Sequence, residues 1–394
     1  MQLKTLFTSL SNASPWVTTV SIILWVVLWL LIFEIVLYAV PYNPPNKFPN
    51  AIQKYLEYGR SVEGKLRGMI GSTNETTRPL AGWLEPEGKR WKTQPTKPKR
   101  SGGLLIAIYG MSHAQHMGWA LDKIEEPPVT VRFLGGPVAP PSHSYKAYQI
   151  DRGRHTAQVV ILGISASSLV GMTTFTTLNK AFERPLPYTY PKYRQVDDQL
   201  EEFWPSMRTM ADLRRALNDE TLWKQYIEEL KAEDSYYRPF LFHQNWMDHF
   251  VISRFIRRSW SKRLSLDILE SIYKVSTGIG ANQAIQQGFN EDSEVIQTLR
   301  FILKEFARQV RRDKQLPIVV LFNSIGYRNH LTQVLEGTLK EDNIAFLDSH
   351  AIAPSDDPKN IAPDKFHFSE EVDQQFAQAI LKIIYENKVI ENKE

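Results

Sequence analysis

Cysteine is absent from the 394-residue chain, which excludes disulfides, thiolate metal sites and a cysteine nucleophile while leaving the compartment open. An excess of one charge is missing too. Lys and Arg number 47 against 43 Asp and Glu, a formal net charge of +4 that is mild for this length; with no zinc-finger or RNA-binding signature, no nucleic-acid partner is expected. The nine histidines form no HExxH and no convincing carboxylate cluster, so neither a metal nor an organic cofactor is expected. Internal repeats are lacking, and low-complexity sequence is confined to one linker.

What is present is a globular composition, 43% hydrophobic, enough for a sizeable core, and one long apolar run. That run, WVTTVSIILWVVLWLLIFEIVLYAV from Trp16 to Val40, exceeds the roughly 20 residues that cross a hydrocarbon core and is too long for a signal-peptide core of roughly 7 to 15. It predicts a single transmembrane anchor after a short tail, residues 1–15, with Trp16 and Tyr38 as interfacial aromatics. Glu34 interrupts the run near its C-terminal end and has two readings, a reach to the headgroups, which is preferred, or contact with a partner helix. Lys4 on one flank against Lys47, Lys54 and Arg60 on the other slightly favours a cytoplasmic body. Long domains often translocate regardless of such charges, so flanking charge leaves the side open.

Residues 41–101 read as a juxtamembrane segment. PYNPPNKFPN cannot continue a helix, Ala51 to Ile70 suits one amphipathic helix, and KRWKTQPTKPKR, ending at Arg100, suits a solvated basic linker that keeps the body near an anionic surface. The body spans residues 102–390. Apolar runs Leu104–Tyr109, Ala157–Ser165 and Leu316–Ser324, with NIAFLDS, read as buried strands. SEVIQTLRFILKEFARQVRR (Ser293–Arg312) and EEVDQQFAQAILKII have helical spacing. The alternation predicts an α/β fold, a parallel sheet with helices on both faces. A stretch at about 179–290, rich in Trp, Tyr, Arg and Glu, is too long for a loop and is read as a helical insertion or lid.

Open parallel sheets place their sites at the carboxyl ends of the strands. Ser112 falls there, after Gly110 on the turn into a helix whose first amides could stabilise an oxyanion; a helix N-cap is the plainer role for the same residue. DKFHFSEE, Asp364 to Glu371, holds an Asp and a His separated by two residues before the last helix. A serine hydroxyl needs a base and the base needs an orienting carboxylate, so Ser112, His367 and Asp364 form a coherent catalytic set. His113 and His116, which flank the nucleophile turn, have two readings, contact with substrate or, preferred, packing on the first helix or facing solvent, and nothing about His143 or His155 marks a metal site.

IYGMSHAQ after the first core strand and PDKFHFSEEVDQQFAQAI before the last helix resemble the first and last blocks of the SGNH/GDSL hydrolase superfamily, over about Gly102 to Ile384 apart from the insertion. The resemblance implies a flavodoxin-like three-layer sandwich, Ser112 as nucleophile, and Asp364 and His367 as its partners. It places an oxyanion-hole glycine at Gly135 or Gly136, with Gly136 preferred. The family's Asp before the nucleophile is Met111 here. Its Asn, expected after the next strand, is missing: Gly163, Ile164 and Ser165 stand there, so Ser165 or Ser167 would replace the donor, or backbone amides alone would serve.

By the same resemblance the chain is expected to be a membrane-anchored serine esterase or O-acyltransferase with an extracytoplasmic body. Its substrate would be the acyl esters of a cell-envelope polysaccharide, with a possible membrane-bound acyl-donor partner. Two rivals stand beside it. One is a binding or assembly subunit for polysaccharide export or modification, which the missing Asn favours. The other is a membrane-surface lipase or thioesterase with Tyr236, Tyr237, Phe240, Phe242 and Trp246 facing lipid, though packing on the core is the plainer role for those aromatics.

Overall fold

The computed structural model describes residues 15–42, 56–71, 81–197, 199–274, 285 and 287–389. Five parallel strands form one sheet in the order β2-β1-β3-β6-β7: β1 Leu104–Gly110, β2 Val129–Gly135, β3 Val159–Ser165, β6 Leu316–Phe322 and β7 Ala345–Asp348. The expected α/β architecture is present. Along β1, Leu104, Ile106 and Ile108 enter one apolar cluster while Leu105, Ala107 and Tyr109 enter the other. This two-residue alternation, apolar on both sides, is what a sheet covered on both faces requires.

Helices α3 Ser112–Asp122 and α10 Glu370–Glu386 cover one face. On the other lie α4 Pro141–Asp151, α8 Glu294–Arg312 and α9 His330–Glu341. The start of α8 is fixed by Ser293, whose hydroxyl accepts from Ile296 N at 3.4 Å, and Ser369 caps α10 in the same way; each hydroxyl satisfies an amide that lacks an intrahelical partner.

The basic linker is not a solvated spacer. Trp91 is buried, Thr96 O accepts from Thr156 N at 2.9 Å, and Gln94 Oε1 accepts from Phe133 N at 3.0 Å. With Asp122 Oδ1 accepting from Val131 N at 3.0 Å, the Gln94 contact satisfies amides of β2, an edge strand that would otherwise invite pairing. The carbonyls of Gln94 and Pro95 also receive the Arg132 guanidinium at 3.1 and 3.2 Å. Arg132 is buried on Asp151, which it holds through two bonds of 2.6 Å, and Asp151 also accepts from Tyr109 Oη at 2.8 Å. A run of charge in the sequence thus hides a segment that docks through its backbone, the Gln94 side chain and its one tryptophan.

The single amphipathic helix expected from Ala51 to Ile70 is also corrected. Residues 51–55 lie outside the described residues, and helix α2 spans only Val62–Gly71, after a turn at 58–60. At Gly59 a Cβ would come within 2.1 Å of Arg254 O, so the break lets the chain pass close to a neighbouring helix. That helix, α7 Val251–Glu270, belongs to the insertion. The insertion is not purely helical: a hairpin, β4 Lys192–Val196 with β5 Gln199–Phe203, precedes α5 Met210–Leu217, α6 Glu220–Glu233 and α7. Its apolar residues, among them Trp223, Tyr226, Phe242 and Leu264, join the cluster under α4 and α8. Tyr236, Tyr237 and Phe242 are buried there, whereas Trp246 is exposed.

Helix α1, Pro15–Tyr42, contains an apolar window, Trp16–Leu37, long enough to cross a membrane, and none of that window is buried. The side chain of Tyr38 and the residues Lys4, Lys47 and Lys54 lie outside the described residues. Glu34 takes the second of its two readings. Its carboxylate accepts from Val251 N at 2.5 Å and Ile252 N at 3.0 Å, capping the first turn of α7.

Candidate active site

At the centre of the site β1 and β2 end at one level, and β3 runs on to Ser165. Gly110 pairs with Gly135 across β1 and β2, and Tyr109 with Leu162 across β1 and β3. From Gly110 the chain turns through Met111, extended at φ −92° and ψ −165°, into α3, so Ser112 opens a helix at the carboxyl edge of the sheet. The helix lies unusually close to the strands beneath it. A Cβ on Gly110 would stand 2.6 Å from Ala114 Cβ, and one on Gly163 would stand 2.7 Å from it. Two glycines on adjacent strands therefore form the seat for Ala114, which sets the height of Ser112.

His367 reaches this serine from 255 residues away, with Nε2 2.7 Å from Ser112 Oγ. Its Nδ1 lies 2.5 Å from Asp364 Oδ2. With Nδ1–H donated to the carboxylate, the Nε2 lone pair is left to accept the serine proton. Asp364 Oδ1 in turn accepts the backbone N–H groups of Phe366 and His367 at 2.9 and 3.0 Å. The bond from His367 and these amides hold the Asp364 carboxyl well below the usual carboxylate range. The two-residue spacing of Asp364 and His367 thereby closes a local turn whose side chains are already oriented. Ser112, His367 and Asp364 are brought together as a connected chain.

The helix also delivers two histidines that sequence pattern assigned to packing or solvent. His113 is buried and donates from Nε2 to Phe366 O at 3.1 Å, which ties the His367 loop to α3. Burial, and next the nearby His367, push its imidazole down to about 4. His116 stacks on His367 with ring centroids 4.4 Å apart and on Trp119 at 4.7 Å. Its position four residues after Ser112 on the same helix face was the only available signal. Beside this stack a groove of about 450 Å³ is lined by Trp119, Lys123, Pro363, Phe368 and Asp373 among others. Burial, and next Glu370, raise the Asp373 carboxyl to about 7. Trp119 in the groove wall and Phe366, next to His367, are exposed.

For an oxyanion, the first turn of α3 offers amides without intrahelical partners, including that of Ser112. Gly136 follows β2 directly after the residue paired with Gly110, so its backbone stands beside the turn that carries Ser112. A side chain there would come within 2.9 Å of Gly82 Cα. Ser165 lies elsewhere in the bonding pattern: its buried hydroxyl is 2.8 Å from Ser324 Oγ and 3.1 Å from Ser167 Oγ, a three-serine cluster at the ends of β3 and β6. Ile164 is buried in the opposite apolar cluster. His143 holds Gly82 O at 2.6 Å and His155 bonds Tyr109 Oη at 3.0 Å, both structural contacts. Among the described residues no three His, Asp or Glu side chains gather as a metal site.

Neither the models of known protein families nor the curated proteins yield a match to this chain.

Proposed function

We propose that this chain is a membrane-anchored serine esterase or O-acyltransferase related to the SGNH hydrolases. The observation that carries the reading is the unbroken line Ser112 Oγ, His367 Nε2, His367 Nδ1, Asp364 Oδ2, at 2.7 and 2.5 Å, on a strand-to-helix turn. In this reading Ser112 Oγ attacks an ester carbonyl as its proton passes to His367 Nε2, and Asp364 stabilises the imidazolium. The negative oxygen of the tetrahedral intermediate faces the Ser112 and Gly136 amides. His367 returns the proton to the leaving alcohol, and the acyl group remains on Ser112. Water as the second nucleophile gives hydrolysis; a hydroxyl gives transfer.

The substrate class rests on the resemblance and on the anchor: an acyl ester of a cell-envelope polysaccharide, with the body on the outer side of the membrane and a membrane-bound acyl donor as possible partner. The commitment of Ser165 to Ser324 and Ser167 favours an oxyanion hole made of backbone amides. It also keeps alive the second reading, a binding subunit that has lost turnover.

Labelling of the detergent-solubilised full chain with a fluorophosphonate separates the two. Wild type should label, and Ser112→Ala and His367→Ala should not, with the rate falling on the order of 10⁴-fold or more. A folded wild type that fails to label and fails to hydrolyse a small acetyl ester would support the binding subunit.

A further inference from the structure

Among the described residues of the body, a group of exposed large apolar side chains gathers on and just before α7, next to the anchor. Helix α7 buries Leu264 and Ile268 against the insertion core. Its outward face carries Ile252, Ile256 and Trp260 at four-residue spacing, with Ile256 46% and Trp260 58% exposed, and the preceding turn adds Trp246 at 70% and Phe250 at 40%. Trp246 and Phe250 meet edge to face at 5.7 Å. A helix facing water carries polar residues on that side, and contiguous aromatic and aliphatic exposure marks a surface that something covers.

The cap on α7 says where that surface lies. Glu34 is three residues before the end of the apolar window of α1 at Leu37, about 4.5 Å along the helix axis at 1.5 Å per residue. Because Glu34 accepts from Val251 N and Ile252 N, the first turn of α7 sits at the same height. That is a few ångströms inside the boundary of the span, at the edge of the roughly 5–10 Å depth where in-plane amphipathic helices lie. Trp and Phe are among the residues that in-plane helices carry on the face turned to lipid. The cap itself fits the place, since amides at a helix start and a carboxylate both need partners where water is sparse. Lys262 and Arg263 follow on exposed positions of the same helix, within reach of anionic headgroups.

We propose that Trp246, Phe250, Ile252, Ile256 and Trp260 form a lipid-docking surface. It lies in the membrane–water interface beside the anchor and fixes the orientation of the body, and with it of Ser112, relative to the bilayer. The inference rests on reading α1 as a membrane anchor, and it is independent of whether Ser112 is catalytic.

The absence of native cysteine permits a direct test. The full chain is reconstituted in phosphatidylcholine and phosphatidylglycerol vesicles as single-cysteine variants Leu28→Cys in the anchor, Trp246→Cys and Ile256→Cys in the surface, and Gln378→Cys on the exposed side of α10. Each is spin-labelled, and collisions with oxygen and with a water-soluble nickel chelate are measured. The expected result is an oxygen-to-nickel ratio at 246 and 256 several-fold above that at 378 and approaching that at 28. A lipid-like ratio at 28 with a water-like ratio at 246 and 256 overturns the docking surface and leaves the anchor standing. Low access to both reagents at 246 and 256 means that protein, such as a second copy, covers the face, and this also overturns it. A water-like ratio at 28 removes the anchor and the docking surface together.

Discussion

Replacing Gly163 with alanine tests whether the seat beneath α3 positions the nucleophile. The new Cβ would stand 2.7 Å from Ala114 Cβ and 3.3 Å from the Phe322 ring, whereas carbon atoms in contact rest at about 3.5–4.0 Å. Relieving the clash moves α3 off the sheet by about 1 Å, and Ser112, two residues before Ala114, moves with it. A 2.7 Å bond to His367 stretched by that amount is no longer a hydrogen bond. Overpacking of this kind costs about 1–3 kcal/mol of stability, and a 1 Å misplacement of a reacting group can cost about 100-fold in rate.

The assay is the rate of fluorophosphonate labelling beside urea unfolding, for Gly163→Ala, Ala114→Gly and the pair together. Ala114→Gly removes the atom that clashes and should itself cost about 1 kcal/mol of helix stability. The double variant should therefore label faster than Gly163→Ala by at least tenfold, a non-additivity of the kind that contacting residues show. Equal labelling by wild type and Gly163→Ala would refute the seat. So would a double variant no faster than Gly163→Ala in a protein that remains folded.

Two other expectations concern stability alone. Asp373, raised to about 7 by burial, keeps a proton in the folded chain that the unfolded chain releases down to about 3.8, so acidification through that window stabilises the fold through this group. Asp373→Asn removes the contribution, and between pH 7 and pH 5 the variant should lose about 2–3 kcal/mol more than wild type, about 1.4 kcal/mol per pH unit; parallel pH dependence of the two urea midpoints would contradict it. Asp151→Ala removes the carboxylate that pairs the buried Arg132 guanidinium and leaves the Tyr109 hydroxyl only its bond to His155, and should cost about 3–5 kcal/mol, read from the urea midpoint; a loss below about 1 kcal/mol would mean that water replaces the carboxylate.

Local pattern on its own determined the elements whose physics is local. The apolar runs at Leu104, Val159 and Leu316 are strands because they must be buried on both sides. The Trp16–Leu37 window is long and apolar enough to span a membrane because length and composition are sequence properties. The Asp364–His367 pair was legible because its geometry closes within one turn. Tertiary structure alone decided that Ser112 meets His367, since only the crossover of successive parallel strands brings residues 255 apart to one edge. It also seated Ala114 between Gly110 and Gly163, stacked His116 on His367, bound the linker along β2 and set Glu34 on the start of α7. Each of these depends on a partner distant in the chain, and a spacing rule within one segment carries no information about which distant segment will lie against it.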